Sequence, residues 1–445
     1  MQIQKARQGY KIVKSYFGRF EEIPESWSRK SLNEIGELSA GGTPSTFNKD
    51  YWYDGTIPWI SSGEVKNNRI NDSEKKITEF GLKNSAAKMF PSGTVLVAIT
   101  GFGMTRGRTS ILEIDASTNQ SVIGIITKDE VANNEFVWFA LQKQYQTLRN
   151  FAQGTQQPGL NLDILEKFRL FLPNNVNEQQ KIASILSNVE SLINQTQKEI
   201  GKTQRFKKGL MQKLLTKGIG HTKFKNIFLK YHFLKFSIPE TWEIKTVKQL
   251  STLKKGGVIT GPFGLMLHSS DYVSKGTPLI LIKNIQNGKI VEDDIPKISP
   301  KDVARLSRYK VKEGDMIFSR VGRVGSSVLI QKSHEGWLFS GQTLRIRFDN
   351  PELNSEYVNY YFHSKIFSRV LIPELLGATR DSINTTILEN FPIIVPPKME
   401  QDKIVMILTK TDSQIQKQQE YKSNLESLKK GLMQKLLTGQ MRVKV

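Results

Sequence analysis

The sequence KKGLMQKLLT stands at Lys207–Thr216 and recurs letter for letter at Lys429–Thr438, 222 residues further on. Ten identical residues in a row are hard to ascribe to chance, so we interpret the chain as a tandem duplication. The spacing between matching segments drifts by only a few residues along the chain, which indicates few insertions. Further matches pair Glu178–Ile182 (EQQKI) with Glu400–Ile404 (EQDKI), and Ile23–Trp27 (IPESW) with Ile238–Trp242 (IPETW).

The matching ends of the two halves have the apolar spacing of long helices. Apolar residues recur at intervals of three and four after Glu178 and again after Glu400, a pattern typical of an amphipathic or coiled-coil helix. About 38 residues at roughly 1.5 Å each would form a rod of about 57 Å. An ordinary amphipathic helix packed on its own domain is the alternative. We predict that the two helices pair with each other through Ile182, Ile185, Leu186, Val189, Ile193, Ile404, Ile407, Leu408, Ile415 and Leu425.

The segments between these ends have diverged and are α/β in texture. Short runs rich in β-branched residues predict strands at 93–101, 121–126, 277–282 and 314–319, and residues 136–141 and 357–362 look helical. The predicted fold class is α/β (α+β), with two variable domains alternating with two long helices in an internal pseudo-two-fold repeat. The predicted segments are a basic N-terminal arm (1–20), a first domain (21–175), a first helix (176–216), a basic aromatic-rich linker outside the alignable repeat (217–236), a second domain (237–397), a second helix (398–439) and a tail (440–445).

The charge of the chain points to a polyanionic partner. The chain has 64 Lys and Arg against 42 Asp and Glu, a formal net charge of +22. Both halves are basic, since residues 1–220 carry 29 basic and 21 acidic side chains and residues 221–445 carry 35 and 21. Nucleic acid is the default partner for such a chain. Charge alone does not separate DNA from RNA or from an anionic membrane surface, and a basic but inert surface is the alternative.

Composition and motif searches argue against a catalytic chain. There is no cysteine, which excludes disulfides, thiol nucleophiles and Cys-zinc sites. The five histidines lack metal-ligand spacing, and we find no Walker loop, no methyltransferase NPPY-type motif, no nuclease carboxylate set and no G-x-S-x-G elbow. No segment has the length and apolarity of a membrane span. The N-terminus lacks the apolar core of a signal peptide, so we expect a cytoplasmic protein.

The candidate nucleic-acid contacts are cations and amides in loops and at strand ends. Arginine can bind guanine through two hydrogen bonds in the major groove, and amide side chains can read adenine. In the first half the candidates are Thr43, Ser45, Lys66, Arg69, Arg106, Arg108, Gln156, Gln157 and Asn161. In the second half they are Lys254, Lys255, Arg305, Arg308, Lys310, Arg320, Arg323 and Arg380.

Several motifs together resemble the specificity subunit of type I restriction-modification systems, and the resemblance spans nearly the whole chain. In the first half they are SAGGTPSTFNKDYW (39–52), GTIPWISSGEV (55–65), SAAKMFPSGTVLVAITG (85–101) and STNQSV (117–122). In the second half, GPFGLMLHSSDYVSKGTPLILIKNIQNGKI (261–290) resembles a second type of target-recognition domain. The small polar residue usual after GPFG is Leu265 here, and the usual lysine is His268.

The resemblance implies a non-catalytic subunit that binds a split, asymmetric target in double-stranded DNA, with one target-recognition domain for each half. It implies that the two helices form an antiparallel pair that sets the spacing between the half-sites. Two methylation subunits would supply the S-adenosylmethionine site, and restriction subunits would supply ATP- and Mg-dependent translocation and cleavage. A solitary DNA- or RNA-binding regulator, a module of another defence system and an enzyme of unrecognised chemistry remain alternatives.

Overall fold

The chain divides into two compact units, and each long helix contributes its first part to one unit and its last part to the other. The computed structural model describes residues 6–101, 104–151, 159–229, 234–251, 257–375 and 382–444. Unit 1 comprises Met1–Lys198 and Glu420–Val445, and unit 2 comprises Glu199–Gln419. Each unit therefore contains one variable domain, the first part of one long helix and the last part of the other. Among the described residues, no helix is both long and apolar enough to cross a membrane.

Unit 1 is built on two small sheets. Its strands are β1 (Tyr10–Lys14), β2 (Phe20–Pro24), β3 (Trp27–Ser31), β4 (Gly36–Ala40), β5 (Ile57–Ile60), β6 (Arg69–Ile70), β7 (Lys75–Ile77), β8 (Met89–Phe90), β9 (Val95–Ala98), β10 (Thr109–Leu112), β11 (Ala116–Thr118), β12 (Val122–Thr127) and β13 (Arg169–Pro173). Its helices are α1 (Leu32–Ile35), α2 (Glu79–Lys83), α3 (Asn134–Lys143), α4 (Tyr145–Asn150), α5 (Leu162–Lys167) and the start of α6 (Val176–Lys217). The sheet orders are β4-β12-β9-β10-β6 and β7-β5-β11-β8, and β1-β2 and β13-β3 form separate antiparallel pairs.

Unit 2 repeats this plan with shorter strands. Its strands are β14 (Phe224–Leu229), β15 (Leu234–Pro239), β16 (Glu243–Thr246), β17 (Val258–Thr260), β18 (Tyr272–Val273), β19 (Thr277–Ile280), β20 (Ile285–Gln286), β21 (Lys289–Ile290), β22 (Lys297–Ile298), β23 (Met316–Ser319), β24 (Ser327–Leu329), β25 (Leu338–Phe339), β26 (Thr343–Ile346) and β27 (Pro392–Val395). Its helices are α7 (Val247–Leu250), α8 (Pro300–Arg305), α9 (Ser355–Phe362), α10 (Lys365–Leu375), α11 (Thr385–Glu389) and the start of α12 (Lys398–Leu436). The order β17-β26-β23-β24 matches β4-β12-β9-β10 of unit 1.

The structure confirms the predicted strands and helices. It also shows that the repeat includes segments whose sequences do not obviously match. The two long helices have 42 and 39 residues, or about 63 and 58 Å at roughly 1.5 Å per residue. The predicted arm contains β1, which pairs with β2 in an antiparallel hairpin. The predicted linker contains β14, which pairs with β15 in the same way. The described residues of both segments thus contribute a hairpin strand to their units, and the linker has a structural counterpart in the predicted arm.

The residues predicted to pair the helices also pack on the domains. In unit 1, Ile182 and Leu186 are buried in one cluster with Leu436, Leu437 and the domain core, and Ile185 lies against that cluster. In unit 2, Ile404 and Leu408 share a cluster with the end of α6, and Ile407 lies against it. Val189 and Leu425 are buried, whereas Ile193 and Ile415 are half-buried. Ile182, Leu186, Ile404 and Leu408 thus lie in clusters that contain both a domain core and the end of the other helix, whereas pairing through Val189, Ile193, Ile415 and Leu425 stays a prediction.

Candidate nucleic-acid interface

A buried glutamine fixes the start of each long helix to its domain. In unit 1 the Gln179 amide donates to the carbonyls of Val131 (3.1 Å) and Pro173 (2.8 Å) and accepts from the backbone N–H of Asn133 (2.8 Å). Gln179 is fully buried, so these three bonds satisfy polar groups that water cannot reach.

The same arrangement occurs in unit 2. Gln401 donates to the carbonyls of Glu352 (3.1 Å) and Pro396 (2.9 Å) and accepts from the backbone N–H of Asn354 (2.8 Å). Sequence analysis used these glutamines only as marks of the repeat. Their recurrence at a constant spacing was the signal that could have identified their role.

The glutamate before each glutamine binds the tryptophan of the IPxxW motif and an arginine or histidine that follows the other helix. In unit 1, Glu178 accepts from Trp27 Nε1 at 3.4 Å and from Arg442 Nε at 2.9 Å. In unit 2, Glu400 accepts from Trp242 Nε1 at 2.8 Å and is hydrogen-bonded to His221 Nε2, also at 2.8 Å. The two units therefore make the same arrangement of contacts, with Arg442 in one and His221 in the other.

The first lysine of the repeated decapeptide makes the same contacts in both units. Lys429 donates to Glu190 at 2.9 Å and lies over the ring of Phe139. Glu178, near the start of α6, binds Arg442, which follows α12. Glu190, further along α6, binds Lys429, which precedes Arg442 in the chain. Within unit 1, the helix ends are therefore antiparallel.

Unit 2 has the corresponding pair. Lys207 donates to Asp412 at 2.5 Å and lies over the ring of Tyr360, whose hydroxyl donates to the same carboxylate at 2.7 Å. Glu400 binds His221 beyond the end of α6, so the helix ends in unit 2 are antiparallel as well. The decapeptide is identical because it must fit two equivalent surfaces.

Two of the predicted arginines of each unit lie in the turn that joins β9 to β10 in unit 1 and β23 to β24 in unit 2. We call residues 99–101 and 104–108 turn 1 and residues 320–326 turn 2; Arg106 and Arg108 belong to turn 1, Arg320 and Arg323 to turn 2. Gly107 N–H donates to the carbonyl of Ala98, and Gly325 N–H donates to that of Ser319. Both glycines have positive φ, 81° and 85°, a conformation that most other residues avoid.

The chain returns beside each turn by the same hydrogen bond. Leu160 N–H donates to Ile99 O, and Ile383 N–H donates to Arg320 O, both at 2.9 Å. Asn161, predicted as a base reader, instead caps α5 by accepting from the backbone N–H of Ile164. Its capping role explains this asparagine without a ligand.

The arginines in the turns differ in their surroundings. Arg108 Nε donates to Met104 O at 2.9 Å, and Arg106 is half-buried. Arg323 is exposed, whereas Arg320 is half-buried. Among the described residues, no acceptor lies within hydrogen-bond reach of Arg320 Nε, although that atom is buried. Exposed and incompletely paired guanidinium groups of this kind can bind DNA phosphates or base edges.

A cleft beside turn 1 brings two predicted cations together. The cleft has a volume of about 240 Å³, and Lys66, Arg108, Gln142 and Tyr145 line it. Lys66 is exposed at the end of a short 3-10 turn. Sequence analysis did not identify Gln142 or Tyr145, because a helix in the variable domain carries no motif for such a role.

Arg69 is held inside unit 1 by carboxylates. It forms ion pairs with Glu135 at 2.8 Å, Glu190 at 3.3 Å and Glu113 at 3.6 Å, and it lies over the Trp138 ring. Burial alone would lower the pKa of Arg69, but the hydrogen bond and the negative charges of these glutamates raise it above its usual value. These contacts attach β6 to α6, which accounts for Arg69 without any contact to DNA.

The remaining candidates are scattered. Thr43 is hydrogen-bonded to Gln120, and Ser45 is exposed. Arg305 binds Asp302 and the carbonyl of Met266. Arg308 and Lys310 are exposed and lie apart from turn 2 in the sequence. The predicted contacts Gln156, Gln157, Lys254, Lys255 and Arg380 lie outside the described residues. Across the ranges that the structure covers, no group of three or more His, Asp or Glu side chains could hold a metal ion.

Comparison with known proteins identifies the family. The model of the type I restriction modification DNA specificity domain matches residues 24–202 and 239–427. The type I restriction enzyme MjaIX specificity subunit of Methanocaldococcus jannaschii is 26% identical over 432 residues, 95% of either chain. The EcoR124I/EcoR124II specificity subunit of Escherichia coli is 25% identical over 195 residues, 43% of this chain and 48% of that one.

Solved structures agree with this result at the level of the fold. The S subunit of the type I system of M. genitalium has a TM-score of 0.58 at 14% identity and covers 92% of this chain and 96% of its own. A chain from a structure of type I complex assembly has a TM-score of 0.56 at 17% identity, with coverage of 94% and 99%. The family match covers well over half of the sequence and occurs once in each half, so this chain belongs to the family of type I restriction-modification DNA specificity domains and carries two of them.

Proposed function

We propose that this chain is the DNA specificity subunit of a type I restriction-modification complex. Unit 1 reads one half of a split, asymmetric DNA target, and unit 2 reads the other. The observation that carries the proposal is the pair of turns, turn 1 and turn 2. They join equivalent strands of the two units but differ in where their arginines lie and in which residues surround those arginines. Two readers built to one plan but with different contact residues suit a target whose halves differ in sequence.

The contacts to DNA divide between the turns and their surroundings. Arg108 and Lys66 beside turn 1, and Arg320 and Arg323 in turn 2, are the cations we assign to DNA. Arg106 is a second candidate in turn 1. Arg69 and Asn161 are assigned to internal contacts instead, because their side chains are already engaged.

The chemistry belongs to partner subunits in this proposal. Two methylation subunits dock on the frame formed by the long helices and bring S-adenosylmethionine and the adenine-modifying site. Restriction subunits bring ATP and Mg for translocation and cleavage, and the complex acts in the prokaryotic cytoplasm. The chain itself has no catalytic role, and the helices set the distance between the two half-sites.

The test is genome-wide adenine methylation in a host that expresses this chain with the methylation subunit encoded beside it. We expect one bipartite motif with two different halves and a fixed spacer, seen only when both proteins are present. A one-heptad insertion into both helices is expected to lengthen the spacer and leave both halves unchanged. A stable complex that produces no new methylation would contradict the proposal and favour a solitary DNA-binding regulator.

A further inference from the structure

Each unit has a cavity at the end of the repeated decapeptide, and the cavity of unit 2 is also lined by the apolar side chains of Phe236 and Ile366. The cavity of unit 1, which we call seat 1, has a volume of about 390 Å³, and Gln434, Thr438, Lys143, Thr147, Arg19 and Glu21 are among the residues that line it. The cavity of unit 2, which we call seat 2, has a volume of about 290 Å³, and Gln212, Thr216, Lys217, Lys365, Arg369 and Ser237 are among its lining residues.

The two seats are copies of each other. Gln434 and Thr438 stand 222 residues after Gln212 and Thr216, and Lys365 stands 222 residues after Lys143. In each seat, one wall is the last turns of a long helix and another is the helix that follows α3 or α9, which is α4 in unit 1 and α10 in unit 2. The hairpin at the start of the unit supplies the remaining wall in both cases. The seats therefore arise from the same part of the duplicated plan.

Gln212 and Gln434 differ from the leucines beside them in the repeated decapeptide. Burial against equivalent cores explains why Leu214 and Leu215 match Leu436 and Leu437. Gln212 and Gln434 are exposed instead, and among the described residues no hydrogen bond involves their side chains. An exposed position usually tolerates substitution. Contacts among the described residues therefore do not explain why both copies keep glutamine, whereas one kind of contact outside the chain, made in both units, would.

Both seats are positively charged. Seat 2 is lined by Lys217, Lys365 and Arg369, and the lining residues include no carboxylate. Seat 1 has Lys143 and Arg19 against one carboxylate, Glu21. Burial lowers the pKa of Lys143, an effect that Glu21 opposes. An acidic ligand is the complement of such a surface.

The seats lie on the opposite side of a helix from the turns that we assign to DNA. In α4, Tyr145 donates to Met104 O at 2.8 Å and Arg149 donates to Arg106 O at 3.4 Å, so these side chains face turn 1. Thr147 lines seat 1 instead. Residues two apart on a helix point in roughly opposite directions.

The same division holds in α10. A Cβ on Gly325 of turn 2 would meet the side chains of Leu371 and Phe367, whereas Lys365 and Arg369 line seat 2. DNA bound at the turns would therefore leave the seats open to a different partner.

Next to each seat, an exposed glycine lies on the same face of the long helix as the seat's exposed glutamine. Gly209 and Gly431 lie one turn before Gln212 and Gln434, and apart from adjacent residues and the backbone of the same helix no described atom lies within 4 Å of a Cβ placed on either glycine. A glycine inside a helix costs roughly 1 kcal/mol relative to alanine. The chain itself gives no packing reason for that cost, whereas a partner backbone lying close to the helix would need the missing side chain.

We propose that seats 1 and 2 each receive a carboxylate-bearing segment of one copy of the same protein partner. This inference rests on the proposed function, under which that partner is the methylation subunit. The segment lies along the Gly–Gln–Thr face of the helix, and its carboxylates meet Lys143 and Arg19 in seat 1 or Lys365 and Arg369 in seat 2. Two equivalent seats fix two copies per chain.

The experiment measures the composition of the complex by native mass spectrometry. The full chain is produced with the methylation subunit as wild type, as Gln212→Glu, as Gln434→Glu and as the double variant. A new carboxylate in a seat repels an acidic segment while changing the exposed side chain little. We expect two partner copies on the wild type and one on either single variant, with affinity at the altered seat reduced at least tenfold. The double variant is expected to carry none.

Two matched controls make the result specific. The Gln204→Glu/Gln414→Glu variant adds one exposed carboxylate to each long helix outside both seats and is expected to keep two copies. Gln212→Lys adds a positive charge in seat 2 and is expected to retain that copy. Retention of two copies by the double Glu variant would overturn the proposal, and so would weaker DNA binding with unchanged stoichiometry, since the seats would then bind DNA. Failure of the wild type to bind any methylation subunit would instead contradict the proposed function.

Discussion

The helix ends and the sheets of the two units show opposite kinds of similarity. Lys207 and Lys429 contact a carboxylate and an aromatic ring in the same way, and Gln179 and Gln401 make the same three hydrogen bonds. The sheets keep their strand order but change their chemistry. The contacts between the long helices and the domains therefore require particular residues, whereas the sheets require only that their strands keep the same arrangement.

One position in the sheets illustrates the difference. Gly124 on β12 and Arg345 on β26 occupy the same register, opposite Leu96 and Ile317 respectively. A Cβ on Gly124 would lie 2.4 Å from the Phe90 ring, so only glycine fits there. Arg345 is buried, and its pKa is lowered to about 10. Burial is the larger cause, and repulsion from Arg347 is the next. A fold that accepts either residue at this point can vary its domain without disturbing its frame.

The largest expected effect concerns the turns. Arg320→Ala/Arg323→Ala should weaken recognition of one half-site by about 4 kcal/mol, near a thousandfold, because each arginine contributes roughly 1–3 kcal/mol. The Arg106→Ala/Arg108→Ala variant should affect only the other half-site. Methylation rates on duplexes with one altered half at a time would measure this, with the exposed Lys83→Ala as control. Equal relaxation at both halves by either variant would refute the division of labour.

The glutamines of the frame come next. Gln179→Ala and Gln401→Ala should each lower the free energy of unfolding by about 3 kcal/mol, because buried backbone groups lose their partners. Urea unfolding measures this change, and Gln204→Ala on the exposed surface of α6 should have almost no effect. A loss below about 1 kcal/mol in either variant would mean that the glutamine does not fix the helix to its domain.

The carboxylates that bind Lys429 and Lys207 should contribute differently to the free energy of unfolding. Glu190 has 2% of its side chain exposed and binds both Arg69 and Lys429, so Glu190→Gln should cost about 2 kcal/mol. Asp412 is 40% exposed and binds Lys207, so Asp412→Asn should cost under about 1 kcal/mol. Urea midpoints of the two variants measure the comparison, and equal losses would contradict it.

The smallest effect concerns the exposed glycines. Gly209→Ala/Gly431→Ala should stabilise the free chain by roughly 0.5–1 kcal/mol for each substitution, since both lie inside helices with no neighbour near the added methyl group. Thermal unfolding of the chain alone would detect the change. A destabilised free chain would show that these positions already pack against something within the molecule.

The repeat and its frame were predictable from the sequence, whereas the roles of several site residues were not. The decapeptide and the EQ pairs mark both helices because their contacts demand identity. The hairpin β14-β15 was missed, since the strands of such a pair accept many sequences and Phe224–Leu229 shares only an initial aromatic residue and lysine with Tyr10–Lys14. The ion pairs of Arg69 could not be predicted, because its carboxylate partners lie 44 to 121 residues further along the chain.

The most direct test of the account places the same variable domain in both units. A second copy of segment 21–175 would replace segment 237–397 on unchanged helices, and adenine methylation would be mapped in a host that also expresses the methylation subunit. Because both segments contact the long helices through the same Trp, Glu and Gln residues in a pseudo-two-fold repeat, we predict a palindromic target made of two copies of the first half-site with the same spacer length. A folded complex that methylates the original asymmetric motif, or new half-site sequences, would contradict the claim that two independent readers share one pair of helices.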